Sequence, residues 1–210
     1  MTKITKDKNK NSFVKQAAIL AMAGLLVRFI GFLYRLPLTK LIGDEGNGIY
    51  SAGYYLYMFF LMISSASLPA AISKMVSERI AKGERKNAHL VFRTSLIIAT
   101  IVGLIASLII GLFAHQFSDM IKSPKSFYAI LTLSPTVFIV AIAAVFRGYF
   151  QGLKNTVPTA ISQVIEQIFN AFFSVWLAHI LVKKSVELGA AGGTAGTGTR
   201  SRMMRIFTMS

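Results

Sequence analysis

The chain has 210 residues, of which 54% are hydrophobic and only 15% are charged, against about 25% in soluble proteins. Its net charge of +15 comes from basic residues that separate long apolar runs, which is typical of the positive-inside pattern of membrane proteins and argues against one continuous nucleic-acid-binding face. The absence of cysteine excludes disulfides and cysteine metal ligands. The composition therefore predicts an all-α integral membrane protein.

Five apolar segments follow a polar, lysine-rich arm at residues 1–16. Each is about as long as the roughly 20 residues that cross a bilayer. The predicted spans are 17–42, 49–75, 94–117, 127–150 and 159–182. They make a five-span helical bundle over residues 17–188, with the basic arm in the cytoplasm.

Two arginines lie inside the first predicted span. Arg28 and Arg35 are seven residues apart, which places them on one helix face. A charge inside a membrane helix costs about 2.5–3.5 kcal/mol on insertion scales, so it usually faces a cavity or a partner. For Arg35, an alternative is that the side chain extends to the interface. Gly31, between them, permits close helix packing, and Pro37 predicts a kink or a break.

The second span begins after a glycine-rich segment at residues 43–48, which predicts a tight external turn. Four tyrosines crowd the first third of this span and are typical of an aromatic belt, with a sugar- or polyprenyl-binding surface as the alternative. The small residues at 64–67 and Pro69 then predict a segment that breaks easily or packs closely. Pro69 is therefore a candidate hinge, as is Pro135 in the fourth span.

The distribution of basic residues predicts the orientation. Thirteen lie in the segments that an N-inside arrangement makes cytoplasmic, and five lie in the external connections. The most basic connection, residues 74–93, falls on the cytoplasmic side, where part of it is expected to form an amphipathic helix.

The fifth span contains one charged residue, Glu166. We expect it to face the bundle interior, as a partner of Arg28 or Arg35 or as part of an ion site. The alternative is a solvated position near the cytoplasmic interface. Gln163, Gln167 and Asn170 surround it on the helix, so this part of the span has a polar stripe that a purely lipid-facing helix seldom carries.

Residues 189–210 combine two patterns. The glycine- and alanine-rich first part predicts the start of an incomplete sixth helix, and a basic tail, RSRMMRIFTMS, then places three arginines where a span needs apolar residues. We expect a truncation or a frameshift near Thr199 and Arg200. A flexible tail of glycine and threonine is the alternative.

Several motifs in this order resemble the stage V sporulation protein B group of polysaccharide biosynthesis proteins. That group belongs to the multidrug/oligosaccharidyl-lipid/polysaccharide exporter superfamily and is related to the lipid II flippases. The resemblance covers about residues 13–199. The motifs that carry it are RFIGFLYRLPLTKLIGDEGNGIYSAGYYLY, LPAAISKMVSERIAKG, RGYFQGLKNTVPTAISQVIEQ and GAAGGTAGTGT.

The resemblance implies a transporter with two lobes of transmembrane helices around a central cavity, of which this chain would hold most of the first. It implies the movement of a lipid-linked sugar pyrophosphate across the bacterial plasma membrane, with cell-wall synthesis enzymes as further candidate partners. Arg28 and Arg35 match the first-helix arginines that line the cavity in the relatives, although their spacing is seven where many relatives have six. The relatives' basic residue in the second helix has no match at residues 64–67.

The function expected from these features is that of a flippase, with Arg28, Arg35, Gln163, Glu166 and Gln167 in the substrate-binding site. Paired guanidinium groups suit a pyrophosphate because they bind phosphate oxygens in a planar, bidentate manner. No cofactor or metal is predicted, and coupling to a cation gradient or to the membrane potential stays open. A membrane enzyme is disfavoured, because the chain lacks the paired carboxylates or base-activated nucleophile of such sites. The sequence also leaves open an inactive truncated remnant, a structural membrane subunit and a cation-coupled multidrug exporter.

Overall fold

A computed structural model describes residues 2–65 and 67–199, with side chains described at 14–63 and 67–194. This part of the chain is helical and contains no strand, which confirms the all-α prediction. Its elements are α1 (Thr2–Ser65), α2 (Leu68–Ala81), α3 (Arg85–Leu112), α4 (Ala114–Met120), a 3₁₀ turn (Pro124–Ser126), α5 (Phe127–Gly152), α6 (Val157–Leu181) and α7 (Val186–Thr199).

Four helical segments in the described part are long and apolar enough to cross a membrane: Val14–Ala81, Arg85–Leu112, Pro124–Gly152 and Val157–Leu181. The first is 68 residues long, whereas about 20 residues suffice for one crossing. It contains both the first and the second of the predicted spans. These segments agree with a helical membrane bundle, and the division of the first segment into two spans stays a prediction.

A bend at Gly43 divides α1. Gly43 has φ 67° and ψ −175°, a conformation that glycine adopts at little cost because it has no Cβ. Helical geometry resumes directly after it, so the turn predicted over residues 43–48 is reduced to one residue. The helix also continues through Pro37, where we predicted a kink or a break.

The first half of α1 runs parallel to α6. The Thr156 hydroxyl at the start of α6 donates a hydrogen bond to the backbone carbonyl of Gln16, at 3.1 Å. Fifteen residues further along α1, the space for a side chain at Gly31 lies 3.2 Å from the amide nitrogen of Gln167. Both helices therefore progress from the same end of the bundle to the other.

The second half of α1 and then α2 run parallel to α5. A Cβ at Gly53 would lie 3.0 Å from the Cβ of Ala129, near the start of α5. A Cβ at Gly148, near the end of α5, would lie 2.8 Å from the carbonyl oxygen of Pro69. Because α5 and α6 are consecutive antiparallel helices, the two halves of α1 are antiparallel to each other.

The predicted second span, 49–75, is not one continuous helix. α1 ends at Ser65 and α2 begins at Leu68, with Pro69 in its first turn. Proline lacks the N–H of a helix interior but fits the first turn, which explains why the new helix begins there.

The predicted third span, 94–117, also differs from the structure. α3 begins at Arg85 and ends at Leu112, and the short α4 follows. Most of the basic connection 74–93 is therefore helical, and only a turn around Gly83 separates α2 from α3. Gly83 has φ 76°, which again favours glycine.

α5 is the most buried of the membrane-length helices. Small residues permit its close contacts, since a Cβ at Gly103 of α3 would lie 2.9 Å from the Cβ of Ala141. Closer to the start of α5, the Ser134 hydroxyl donates a hydrogen bond to the carbonyl of Ser107, at 2.6 Å. α5 therefore joins α3 on one side to α1 and α2 on another.

α7 folds back along α6. The space for a side chain at Gly192 lies 2.9 Å from the carbonyl carbon of Leu177, and the hydroxyls of Thr132 and Thr194 are 2.8 Å apart. This is the segment in which we predicted the start of a sixth helix. The basic tail at residues 200–210 lies outside the described residues.

Candidate functional site

Arg28 and Arg35 both lie on an exposed face of the first half of α1. The ion pairs among the described side chains join Arg79 to Glu84, His115 to Asp119, Lys125 to Glu45 and Arg147 to Glu166. Neither Arg28 nor Arg35 takes part in any of them. These guanidinium groups are thus presented away from the packed interior of this bundle.

Gln167 lies beside the helix that carries these arginines. Its amide nitrogen approaches Gly31, which is about one turn from Arg28 and one turn from Arg35. Gln163 precedes Gln167 by about one turn of α6 and is half-buried. Of the five predicted binding residues, Gln167 thus contacts α1, between the turns that carry Arg28 and Arg35, and the role of all five in binding stays a prediction.

Glu166 points away from this contact and pairs with Arg147. Its carboxylate accepts a hydrogen bond from Nη2 of Arg147 at 2.7 Å, and the side chains are 3% and 13% exposed, respectively. The prediction of a partner among Arg28 and Arg35 was therefore wrong, and so was the alternative of a solvated carboxylate. The prediction that Glu166 faces the bundle interior agrees with its burial.

Arg147 lies near the end of the predicted fourth span and was not among the predicted binding residues. The spacing contained a signal, because α5 and α6 are antiparallel and joined by a short connection. Arg147 lies five residues before the end of α5 and Glu166 nine residues after the start of α6. These positions differ in depth by about one helical turn, which the long arginine side chain can span.

The buried face of α6 continues with polar residues beyond Glu166. Asn170 and Ser174 follow at successive turns and are both buried. The Ser174 hydroxyl donates a hydrogen bond to Oδ1 of Asn170, at 3.1 Å. The predicted polar stripe thus faces the bundle interior, where polar groups need partners within the protein.

A cleft of about 460 Å³ opens next to Arg147. It lies between the second half of α1, the start of α2 and the middle of α5. Its other lining residues are Met58, Leu61, Met62, Pro69, Val140 and Ala144. Among the residues that the structure describes, Arg147 is therefore the charged group of an otherwise apolar cleft lining.

The three prolines proposed as hinges differ in their surroundings. α1 and α5 continue through Pro37 and Pro135, which are both exposed. Pro69 opens α2 and packs against Gly148. Any movement at these prolines stays a prediction, as does a hinge or packing role for Gly31.

Charged contacts mark both ends of the bundle. At the end that holds the start of α3, Arg79 and Asn87 both donate hydrogen bonds to the carboxylate of Glu84, at 2.9 and 3.0 Å. These bonds, with Asn87 the larger cause, lower the pKa of Glu84, which lies in the turn between α2 and α3. At the other end, Lys125 pairs with Glu45.

The described side chains contain no group of three or more histidines, aspartates or glutamates that could hold a metal ion. The candidate site therefore consists of guanidinium, amide and carboxylate groups. Such groups bind anions and sugar hydroxyls by hydrogen bonds.

Residues 13–195 match the family model described as "Polysaccharide biosynthesis protein". The chain belongs to this family. This polysaccharide biosynthesis protein family member is 34% identical to stage V sporulation protein B of Bacillus subtilis over 184 residues, which are 87% of this chain and 36% of that protein. The sequence resemblance to that group is thereby confirmed.

Two further relatives come from the same organism. The chain is 29% identical to the lipid II flippase MurJ over 79% of its own length and 32% of that protein, and 27% identical to the uncharacterized membrane protein YabM over 90% and 35%. The chain thus spans about a third of the length of these relatives. No solved structure matches it significantly. The apolar helices and the family together identify a multi-pass membrane protein.

Proposed function

We propose that this chain supplies helices to a flippase that moves a polyprenyl-pyrophosphate-linked cell-wall or polysaccharide precursor across the membrane. The observation that carries the proposal is the pair of exposed arginines, Arg28 and Arg35, on one face of a membrane helix beside Gln167. The family and a relative named as a lipid II flippase support it.

The chemistry of the site suits a pyrophosphate attached to a sugar. Arg28 and Arg35 would bind phosphate oxygens, since guanidinium groups make charge-assisted, bidentate hydrogen bonds that are shorter and stronger than neutral ones. The amides of Gln163 and Gln167 can both donate and accept hydrogen bonds, as recognition of sugar hydroxyls requires. The apolar side chains around the arginines on α1 would contact the polyprenyl chain. The reaction is transport, in which no covalent bond forms or breaks.

Binding of a polyprenyl pyrophosphate to the purified chain in nanodiscs tests this assignment. We expect Arg28→Ala and Arg35→Ala each to weaken binding by about tenfold or more, because each removes a charge-assisted contact. Arg28→Lys should retain part of the affinity, since it keeps the charge and loses the planar geometry. Thermophoresis of the labelled protein against the lipid measures the dissociation constants.

Arg93→Ala is the matched control, since Arg93 is also exposed but lies at the end of the bundle near the start of α3. It should leave the affinity unchanged. Unaltered binding in both Arg28→Ala and Arg35→Ala, with the protein still folded, would remove the pyrophosphate role. The same substitutions at the aligned positions of stage V sporulation protein B then test the role in a complete relative.

Flipping also requires a defined orientation of the chain in the bacterial plasma membrane. We propose that the N-terminus is cytoplasmic. The basic residues favour this orientation by thirteen to five. The chain lacks cysteine, so single cysteines report accessibility without background. With an impermeant maleimide on intact cells, cysteine at Asp44 should react, whereas cysteine at Lys15 or Lys86 should react only after permeabilisation. Labelling of the Lys86 position from outside would reverse the orientation.

A further inference from the structure

Arg147 combines two environments that are seldom found together. On one side its guanidinium bonds to Glu166 of α6, at 2.7 Å. On the other it lines the apolar cleft of about 460 Å³ between α1, α2 and α5. A cation at one side of an apolar cleft within a membrane bundle fits a ligand that has both an anionic group and a hydrocarbon chain.

The cleft walls are suited to a hydrocarbon chain. Met58 and Met62 are exposed along α1, and Leu61 and Val140 complete the apolar surface. Methionine side chains are flexible and polarisable, so they fit chains of varied shape. The charge complement of Arg147 in such a place is a phosphate, because guanidinium groups bind phosphate oxygens strongly.

Glu166 is the group that a ligand phosphate would have to replace. It is 3% exposed, and it belongs to α6, which otherwise packs mainly on the first half of α1 and on α7. α5, which carries Arg147, packs on α2, α3, the second half of α1 and α7. α5 and α6 touch each other directly only to a small extent, so the ion pair is a direct link between two helices that are otherwise held together through α1 and α7.

We propose that Arg147 is a binding site for the phosphate of a lipid lying in this cleft, and that Glu166 is its resting counter-ion. The lipid phosphate and the Glu166 carboxylate compete for the same guanidinium group. A buried charge that loses its partner is strongly unfavourable, so exchange of one anion for another keeps Arg147 compensated throughout.

This site is separate from the arginines of the proposed flippase site and does not depend on them. Arg28 and Arg35 lie on an exposed face of α1, whereas Arg147 is mostly buried on α5. At this site Glu166 is the counter-ion of Arg147 in the absence of lipid and does not contact the substrate directly. Exchange at Arg147 would open the direct ion pair between α5 and α6.

The competition predicts opposite effects for the two partners. Glu166→Gln weakens the competitor while it keeps the side-chain shape, so affinity for a lipid phosphate should rise about tenfold. Arg147→Gln removes the cation, so affinity should fall by at least as much. Native mass spectrometry of the full chain, released from nanodiscs with each added lipid, measures the bound fraction. Polyprenyl pyrophosphate, phosphatidylglycerol and the uncharged polyprenol are the three probes.

Arg79→Gln is the matched control. Arg79 also forms an ion pair, with Glu84, but its side chain is 45% exposed and lies away from the cleft. It should leave the bound fraction unchanged. If Arg147→Gln does not fold, the rise in lipid affinity in Glu166→Gln still tests the proposal. The double variant Arg147→Met with Glu166→Met is a second test, because it keeps apolar packing and should bind no lipid phosphate at this site.

The lipid arms identify the source of the phosphate. A gain for polyprenyl pyrophosphate alone assigns the site to the proposed transport substrate, and a gain for phosphatidylglycerol as well assigns it to membrane lipids in general. Either result supports the competition. Equal binding of polyprenol and polyprenyl pyrophosphate overturns it, as does a folded Glu166→Gln whose affinity is unchanged or reduced, because the ion pair is then only a structural contact. Loss of binding in the Arg28 and Arg35 variants alone would support the flippase site while it overturns this one.

Discussion

Arginines inside apolar helices occupy two different environments in this molecule. On α5, Arg147 is 13% exposed and bonded to Glu166 within the bundle. On α1, Arg28 and Arg35 lie on an exposed face and form none of the ion pairs among the described side chains. The same residue type in a similar hydrophobic context is thus an internal tie in one helix and an outward-facing group in the other.

The difference shows that the position of a charge along a membrane helix does not decide its role. The partner on the facing helix decides it. Arg147 has a carboxylate within reach on α6, whereas Gly31 and Gln167 meet between Arg28 and Arg35 and supply no opposite charge. A charge without an internal partner requires one from outside the packed face, which a lipid-linked phosphate or a further helix can supply.

The sharpest way to break this comparison is to remove one arginine from each class. We expect Arg147→Leu to destabilise the folded chain by about 3–5 kcal/mol, because it removes the guanidinium group that compensates the buried Glu166 carboxylate. Arg28→Leu should leave stability unchanged or raise it, since it replaces an exposed charge on a membrane helix with an apolar group. Unfolding in mixed micelles, followed by circular dichroism, measures both.

The double variant Arg147→Leu with Glu166→Leu is the control for the buried pair. It should recover most of the loss, because both charges are removed together. A loss in Arg28→Leu as large as that in Arg147→Leu would contradict the comparison.

A smaller effect is expected from alanine substitutions at helical glycines on the same two helices, one in a close contact and one on an exposed face. At Gly148 of α5, an added Cβ would lie 2.8 Å from the Pro69 carbonyl oxygen and 2.9 Å from Ile72. We expect Gly148→Ala to cost about 1–3 kcal/mol, since α2 must move away from α5. Gly24 of α1 has no atom within 4 Å of the same position, so Gly24→Ala should stabilise the helix by about 1 kcal/mol.

The same micelle unfolding assay compares these two alanines. Equal shifts of the two variants in the same direction would mean that close packing does not distinguish α5 from the exposed face of α1. The pair is well matched, because both substitutions add one methyl group to a helical glycine and differ only in what that group meets.

The all-α membrane fold class could be predicted because it depends on local composition. Long apolar runs separated by charges are sufficient for that, and the burial of Glu166 followed from the cost of a charge in a span. The bend at Gly43 could be predicted only as a region, since both Pro37 and the glycines at 43–48 are capable of interrupting a helix. In the structure the helix continues through Pro37 and bends at Gly43.

The partner of Glu166 could not be predicted from local pattern, because it depends on which helices face each other. Arg28, Arg35 and Arg147 were all available in the sequence. Gly31 brings α1 against Gln167 and so turns the neighbouring Glu166 toward α5 instead of toward the arginines of α1. The small residues and Pro69 predicted that the second span breaks easily in this region. They did not predict that one helix ends at Ser65 and another begins at Leu68.

The one-residue bend at Gly43 also bears on how the chain enters the membrane. Because no loop separates the halves of α1, they can partition from the translocon as a single hairpin. The apolar residues of the second half, among them Met58, Phe59 and Met62, then offset the cost of carrying Arg28 and Arg35 into the bilayer. The first half of α1, which would insert poorly by itself because of its two arginines, can then insert together with the more apolar second half.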